Sequence, residues 1–347
     1  MKILILSTSS NNTATFIGSL EVIEPKPDLR VFYYDQKWHQ AALAAMQQNK
    51  EVETLLRQGA WKVPRERVSS DNEILAEARA NTPDLIVYIS AWEGQFVPLD
   101  ETLGELNTMA PLVHFLCDGA DPPWWPQLER FEEKGIFSLT VNIDGSHDWP
   151  GGKGWFDGVT PHGYKQYRIK SALTLLTPCD PRPFEGAPFP PPFLERPYAM
   201  GYAGNPGNHP RVALIEALQK RGYAYRQRDD QPGSYKNYTH FLRHCRTVVS
   251  VPFTGSGAAR HVKGRVLEAG WAGCALLEWK NDATASWFTP RYEFEEYGSI
   301  EEALDLAEMM ARTPRRTRDI ARALAHRVTT EHSPQKFWDK VFERAGK

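Results

Sequence analysis

Within the stretch KGRVLEAGWAGCALLEW (263–279), Arg265 and Glu268 sit three apart at the start of a helical pattern. Residues at i and i+3 share one helix face, so the two side chains project together. Lys263 and Gly264 precede them, and Val266, Leu267, Ala269 and Gly270 fill in around them. Gly273 then stops the helix before CALLEW, which reads as a buried strand. The free amides and positive end of such a helix attract phosphate. Arg265 can grip a phosphate bidentately, and a carboxylate one turn on can accept from sugar hydroxyls. The set suits a ligand with a diphosphate at one end and a hydroxyl pair at the other. The alternative is a surface helix with an internal salt bridge, which predicts a polar far side. Here the remaining positions are small and apolar, so the helix is expected to be buried and its charges to need partners. Buried structural ion pairs meet that need as well, and chemistry alone leaves both readings open.

Two further places carry candidate chemistry. YAGNPGNHPR (202–211) runs from a strand through a Gly turn into a helix, so Gly204, Asn205 and Arg211 can hold phosphate; the alternative is a routine strand-to-helix turn. It is not GxGxxG, so it does not specify a dinucleotide. In PLVHFLCDGADPPWW (111–125), Asp118 lies just past an apolar strand. That is the ligand edge of a parallel sheet, although a turn or helix-cap Asp would sit there too. Asp121 follows in the same loop, and Trp124 and Trp125 can stack on a sugar face or fill the core. His114, inside the apolar strand, reads as a core histidine. His147 is a candidate acceptor contact and His261 a candidate phosphate contact. No DxD follows an apolar strand, so no essential divalent metal is expected. Positive side chains and helix dipoles would stabilise a leaving diphosphate instead.

The elements that position these residues alternate. Strands are predicted at 2–7, 29–34, 84–90, 111–117 and 137–143, with helices at 38–59, 71–81, 99–108 and near 125–134. Strands alternating with helices predict a parallel, doubly wound α/β sheet. Residues 144–165 form a long Gly- and aromatic-rich loop, and ALTLL (172–176) closes a first domain over 1–177. Residues 178–197 hold eight prolines and read as a semi-rigid linker. A second domain over 198–332 repeats the plan, with strands at 198–204, 223–228 and 246–252, helices at about 210–221 and 234–244, and then the 263–279 stretch. A loop, a strand near 291–296 and helices over 299–312, 315–331 and 334–345 complete the chain.

The 347 residues are enough for two domains, and 41% hydrophobic with 24% charged residues is a soluble globular composition. No run approaches the ~18 apolar residues of a membrane span. The apolar start is shorter than the roughly 7–15 residues of a signal peptide core. Four widely spaced cysteines form no metal pattern, so reduced thiols in a cytoplasmic protein are expected. Residues 1–196 carry 18 basic and 26 acidic side chains, a balance of −8, whereas 197–347 carry 23 and 17, a balance of +6. The basic half suits an anionic ligand and the acidic half a neutral partner, so duplex DNA is not expected on the first half.

The 263–279 segment resembles the donor-site signature of GT-B-fold glycosyltransferases, especially the spore-maturation, CgeB-like group: a basic residue, a helix with a Glu, a small-residue turn, then an apolar strand. The resemblance covers about 198–332 clearly and 1–196 weakly. It implies two Rossmann-like domains facing across a cleft, with the C-terminal helix 333–347 packing back towards the first domain. It also implies that Arg265 contacts a donor diphosphate and Glu268 the nucleotide ribose, with Lys263, Gly264, Arg211, Gly204 and Asn205 around them. Many retaining members carry a second Glu eight residues earlier, where this chain has Arg260. The Asp118 loop locally resembles phage DNA β-glucosyltransferases, whose Asp in that position is the general base. Asp118 is thereby the expected base, with Asp121, Trp124 and His147 on the acceptor side. The implied activity is metal-independent, inverting transfer of a sugar from a nucleotide diphosphate sugar, a UDP-sugar being favoured, to a hydroxyl of a glycan, protein or small molecule. A nucleotide-sugar epimerase of the same fold and a non-catalytic sugar-nucleotide binding protein remain as alternatives.

Overall fold

The apolar runs form strands because each is covered on both faces. β1 (Lys2–Ser7) is buried beyond Lys2, and β3 (Leu85–Ile89), β4 (Leu112–Leu116) and β5 (Leu139–Asn142) are buried throughout. Such continuous apolar strands belong to parallel sheets with helices on either side. The structure, a computed structural model, describes residues 1–8, 11–52, 55, 63–90, 96–119, 121, 124–145, 148–149, 153–154, 158–159, 165–166, 172–185, 189–204, 210–226, 234–254, 257 and 259–347.

With β2 (Asp28–Tyr33) and β10 (Ala172–Thr174), those strands make a six-stranded sheet in the order β10-β5-β4-β3-β1-β2. Every pairing in it is parallel. A second sheet contains β11 (Tyr198–Ala203), β12 (Ala224–Arg226), β13 (Cys245–Ser250), β14 (Ala275–Trp279) and β15 (Glu295–Tyr297), in the order β12-β11-β13-β14-β15. It too is parallel throughout. Both sheets wind outward from one internal junction, between β1 and β3 in the first and between β11 and β13 in the second. Ligands of open α/β sheets bind outside the carboxyl ends of the strands at that junction.

The closing helix Pro334–Arg344 packs on the first sheet. Phe337, Trp338 and Val341 join the cluster of Ile3, Ile5, Phe16 and Phe115. The Trp338 indole N–H donates to Ser19 Oγ at 3.0 Å, and Gln335 exchanges hydrogen bonds with the Glu24 backbone. The helix Pro314–Glu331 packs on the helix Gly264–Trp271. A Cβ on Gly270 would lie 2.6 Å from a Val328 methyl, so only glycine allows this approach.

Several elements depart from the sequence expectation. The helix expected over 38–59 is Gln36–Gln48, ended by the extended backbone of Asn49; residues 53–54 and 56–62 lie outside the described residues. The stretch after β14, read as loop, contains the helix Asp282–Trp287. Asn281 caps it by accepting from the Ala283 N–H, a signal present in the sequence as Asn-Asp-Ala. The proline-rich segment holds two single turns, Arg182–Glu185 and Phe193–Glu195, because prolines suit a helix's first positions. Within the aromatic loop, β6 (Asp148–Trp149) pairs with β7 (Lys153–Gly154), and β8 (Gly158–Val159) with β9 (Lys165–Gln166), both antiparallel. Among the described residues no helix is long and apolar enough to cross a membrane.

Candidate active site

The junction of the second sheet gathers the basic residues. β11 ends at Ala203, and Gly204 follows with φ +141°. A Cβ there would lie 2.4 Å from Arg265 Nη2, so the guanidinium rests against bare backbone. The guanidinium also lies over the Tyr202 ring, 5.0 Å from the centroid, and Arg265 Nε donates to Tyr238 Oη at 3.4 Å. Burial disfavours charge on Arg265, but Tyr238, Tyr202 and Glu268 more than offset it and raise its pKa further. The Tyr238 hydroxyl donates to Glu268 Oε2 at 2.6 Å, and Tyr235 to Oε1 at 3.1 Å. Each Glu268 oxygen retains acceptor capacity, since an ionised carboxylate offers about four lone-pair sites. Arg265 and Glu268 therefore meet through a tyrosine rather than directly.

Lys263 precedes the helix Gly264–Trp271 in extended backbone; the Val266 N–H donates to its carbonyl at 2.9 Å, and the amides of Gly264 and Arg265 lie ahead of the helix's own bonds. Burial lowers the Lys263 pKa to about 8; Asp118 and Asp144 oppose that, and the nearby cations Arg211 and Arg265 reinforce it. Arg211 is anchored by an Nη2 donation to the Phe253 carbonyl at 2.6 Å. Three cations thus converge where two strands of the second sheet end.

The first sheet presents carboxylates to this group. Asp118 lies two residues past β4, its side chain 39% exposed, and Asp144 lies two past β5, fully buried. The two halves meet there through Val262 N–H donating to the Asp144 carbonyl at 2.8 Å, and the Trp287 indole N–H to the Gly145 carbonyl at 2.7 Å. His261 is buried between them, with Nδ1 3.5 Å from Asp118 Oδ1 and 3.7 Å from Asp144 Oδ2. Its Nδ1 faces these two carboxylates.

The remaining candidates are placed as follows. Asp121 is buried in a turn, its N–H donating to the Asp118 carbonyl at 2.9 Å, and Trp124 is buried. Asn205 and His147 lie outside the described residues. His114 is a core residue: its ring stacks on Phe137 and Tyr88, and burial lowers its pKa to about 3. Among the described residues neither ring nitrogen has a hydrogen-bond partner.

Sequence reasoning missed Tyr235, Tyr238, Asp144 and Glu278. The two tyrosines recur at i and i+3 in SYKNYTHF, a spacing that puts both on one helix face. Asp144 follows its strand as Asp118 follows its own. Glu278 interrupts the apolar run CALLEW, and a buried acid needs a reason. Burial raises its carboxyl to about 7, offset by the Thr284 and Ser250 hydroxyls and by Arg265 and Lys263. The Ser250 hydroxyl donates to its Oε1 at 3.2 Å. Among the described residues no cluster of three or more His, Cys, Asp or Glu side chains is set to hold a metal ion.

Residues 207–343, less than half of the chain, match the family described as glycosyl transferase-like. No curated protein sequence matches the chain. Among solved structures, Anabaena HepE in complex with UDP and glucose is 13% identical, with 99% of this chain and 98% of that chain covered and a TM-score of 0.57. An alpha-glucosyltransferase in complex with UDP-glucose and DNA containing an abasic site is 11% identical over 100% of both chains, with a TM-score of 0.60. A glycosyltransferase from Rickettsia africae is 9% identical over 99% and 97%, with a TM-score of 0.57. At such identities the likeness is one of fold: the two parallel α/β domains are arranged as in GT-B glycosyltransferases.

Proposed function

We propose that the chain transfers a sugar from a nucleotide diphosphate sugar, a UDP-sugar in the first instance, to a hydroxyl acceptor. One observation carries the reading: Arg211, Lys263 and Arg265 converge at the carboxyl edge of the second sheet, opposite Asp118 at the carboxyl edge of the first. The family match over 207–343 and the UDP-bound structures of the same fold agree with it.

In this reading the diphosphate lies at the start of the helix Gly264–Trp271, held by its amides, Lys263 and Arg265. Glu268 accepts from the ribose hydroxyls while Tyr235 and Tyr238 fix its carboxylate. Asp118 takes the proton of the acceptor hydroxyl as that oxygen attacks the sugar carbon. The carbon–oxygen bond to the diphosphate breaks, its electron pair leaves with the nucleotide, and the cations stabilise that charge without a bridging metal. With one carboxylate as base and Arg260 where many retaining members carry a Glu, the displacement inverts the anomeric carbon.

Calorimetry with UDP and GDP tests the site. Arg265→Ala removes a charge-assisted contact of about 1.5–3 kcal/mol, and Glu268→Ala weakens nucleoside and nucleotide alike. Unchanged affinity in both folded variants ends the assignment. Release of UDP from UDP-glucose, with water as acceptor, separates an enzyme from a binding protein. Interconversion of free UDP-sugars would mark an epimerase.

A further inference from the structure

His261 belongs to the second half of the chain, yet its ring points at carboxylates of the first. Its main chain is fixed on both sides: the His261 N–H donates to the Pro252 carbonyl at 3.1 Å, and its carbonyl accepts from Asn281 Nδ2 at 3.1 Å. The next residue, Val262, is tied to the Asp144 carbonyl. His261 is 3% exposed, and among the described residues neither ring nitrogen has a hydrogen-bond partner. A buried imidazole without partners is costly, so its placement calls for a reason. Nδ1 stands at 3.5 and 3.7 Å from two carboxylate oxygens, which are acceptors, and this assigns a proton to Nδ1. Both distances exceed a formed hydrogen bond by about half an ångström, and catalytic bonds commonly tighten only in the substrate complex.

Resting on the proposed sugar transfer, we propose that His261 is a positioning residue for Asp118. Its Nδ1–H orients the Asp118 carboxylate while the acceptor hydroxyl arrives. Once Asp118 has taken the acceptor's proton, the Nδ1–H turns to Asp144, a buried carboxylate that offers no route to solvent. No proton leaves the imidazole in either state. Because the ring comes from the donor-side half, the base is aligned only when the two halves meet at the 144–145 and 261–262 seam. Among the described residues, the other titratable groups facing this place are Cys117, whose thiol is pushed up to about 12 by burial and then by Asp118 and Asp144, and Lys263.

The test uses UDP-glucose and water, so no acceptor needs to be known. His261→Ala should slow UDP release about 10–100-fold, the equivalent of one charge-assisted hydrogen bond, at unchanged UDP affinity. His261→Asn carries an amide N–H near the position of Nδ1 and should recover much of the rate; His261→Gln reaches the position of Nε2 and should not. In an Asp118→Asn background, His261→Ala should cost nothing further. Equal rates for the Asn and Gln variants, or a loss explained by weaker UDP binding, would overturn the role while leaving sugar transfer standing. If the alanine variant does not fold, the Asn–Gln comparison decides. A wild-type protein that neither binds UDP nor releases it from UDP-glucose overturns the sugar-transfer reading and this role with it.

Discussion

Gly204→Ala tests whether the Arg265 guanidinium is where the diphosphate binds. The added methyl meets two obstacles. Its position is 2.4 Å from Arg265 Nη2, and the backbone there has φ +141°, which side chains rarely adopt. The first is relieved by moving the end of a flexible side chain, so the guanidinium leaves the Tyr202 face, 5.0 Å below it. The second stays as backbone strain of about 1–3 kcal/mol, read as a Tm several degrees lower. A displaced guanidinium loses a charge-assisted contact of about 1.5–3 kcal/mol, which is roughly 10–150-fold in Kd for UDP at ~1.4 kcal/mol per decade. Calorimetry with UDP reads this directly, and a thermal melt gives the strain separately. The decisive comparison is with Arg265→Ala. If Gly204 acts through Arg265, the double variant binds UDP no more weakly than Arg265→Ala alone. A folded Gly204→Ala protein that binds UDP as wild type does, or a double variant whose losses add in full, refutes the placement of Arg265 at the phosphate.

Four other outcomes are expected. Asp118→Asn keeps shape and removes basicity, so it should lower kcat about 10²–10⁴-fold with UDP affinity intact; near-normal kcat, or a product keeping the donor's anomeric configuration by NMR, speaks against an inverting base there. UDP release should survive EDTA, and complete loss restored by Mn²⁺ would show that the cations do not suffice. Duplex DNA should not bind tightly, because the half bearing Asp118 has a balance of −8; a salt-sensitive mobility shift would show a local basic track. His114, held neutral by burial with a pKa of about 3, binds its proton more weakly folded than unfolded. Its stability is whole above the unfolded value of about 6.5 and is lost as pH falls from there towards 3, by about 1.4 kcal/mol per unit. Urea denaturation at pH 7 and 5 should show this slope, and His114→Phe should reduce it; an unchanged slope rules His114 out as the source.

The parts legible in the sequence share one property: a single segment states them. The run PLVHFLC needs no partner to read as a central strand, since only a strand covered on both faces is apolar throughout. KGRVLEAGWAGCALLEW shows that its helix is buried, because small and apolar residues surround Arg265 and Glu268. The bond between those two charges was not legible. It passes through Tyr238, whose helix is separated from them by a strand and a loop, and nothing local to Glu268 names that partner. His114 was legible as core but not as a ring without hydrogen bonds among the described residues, since its stack joins Tyr88 of β3 and Phe137 ahead of β5.

The seam explains the largest omission. Asp144 and His261 are 117 positions apart in the sequence. One lies two residues past a strand of the first sheet, and the other in the loop after β13 of the second. Each has an ordinary local reading, a turn Asp and a loop His. Only the docking of Val262 on the Asp144 carbonyl and of Trp287 on the Gly145 carbonyl brings them together. A cleft between two similar sheets is therefore half readable. The carboxyl edge of each sheet follows from strand direction, so Asp118, Gly204 and Lys263 can be named one sheet at a time. The pairing of one edge with the other depends on how the halves meet, and the Asp118–His261–Asp144 contact exists only in that pairing.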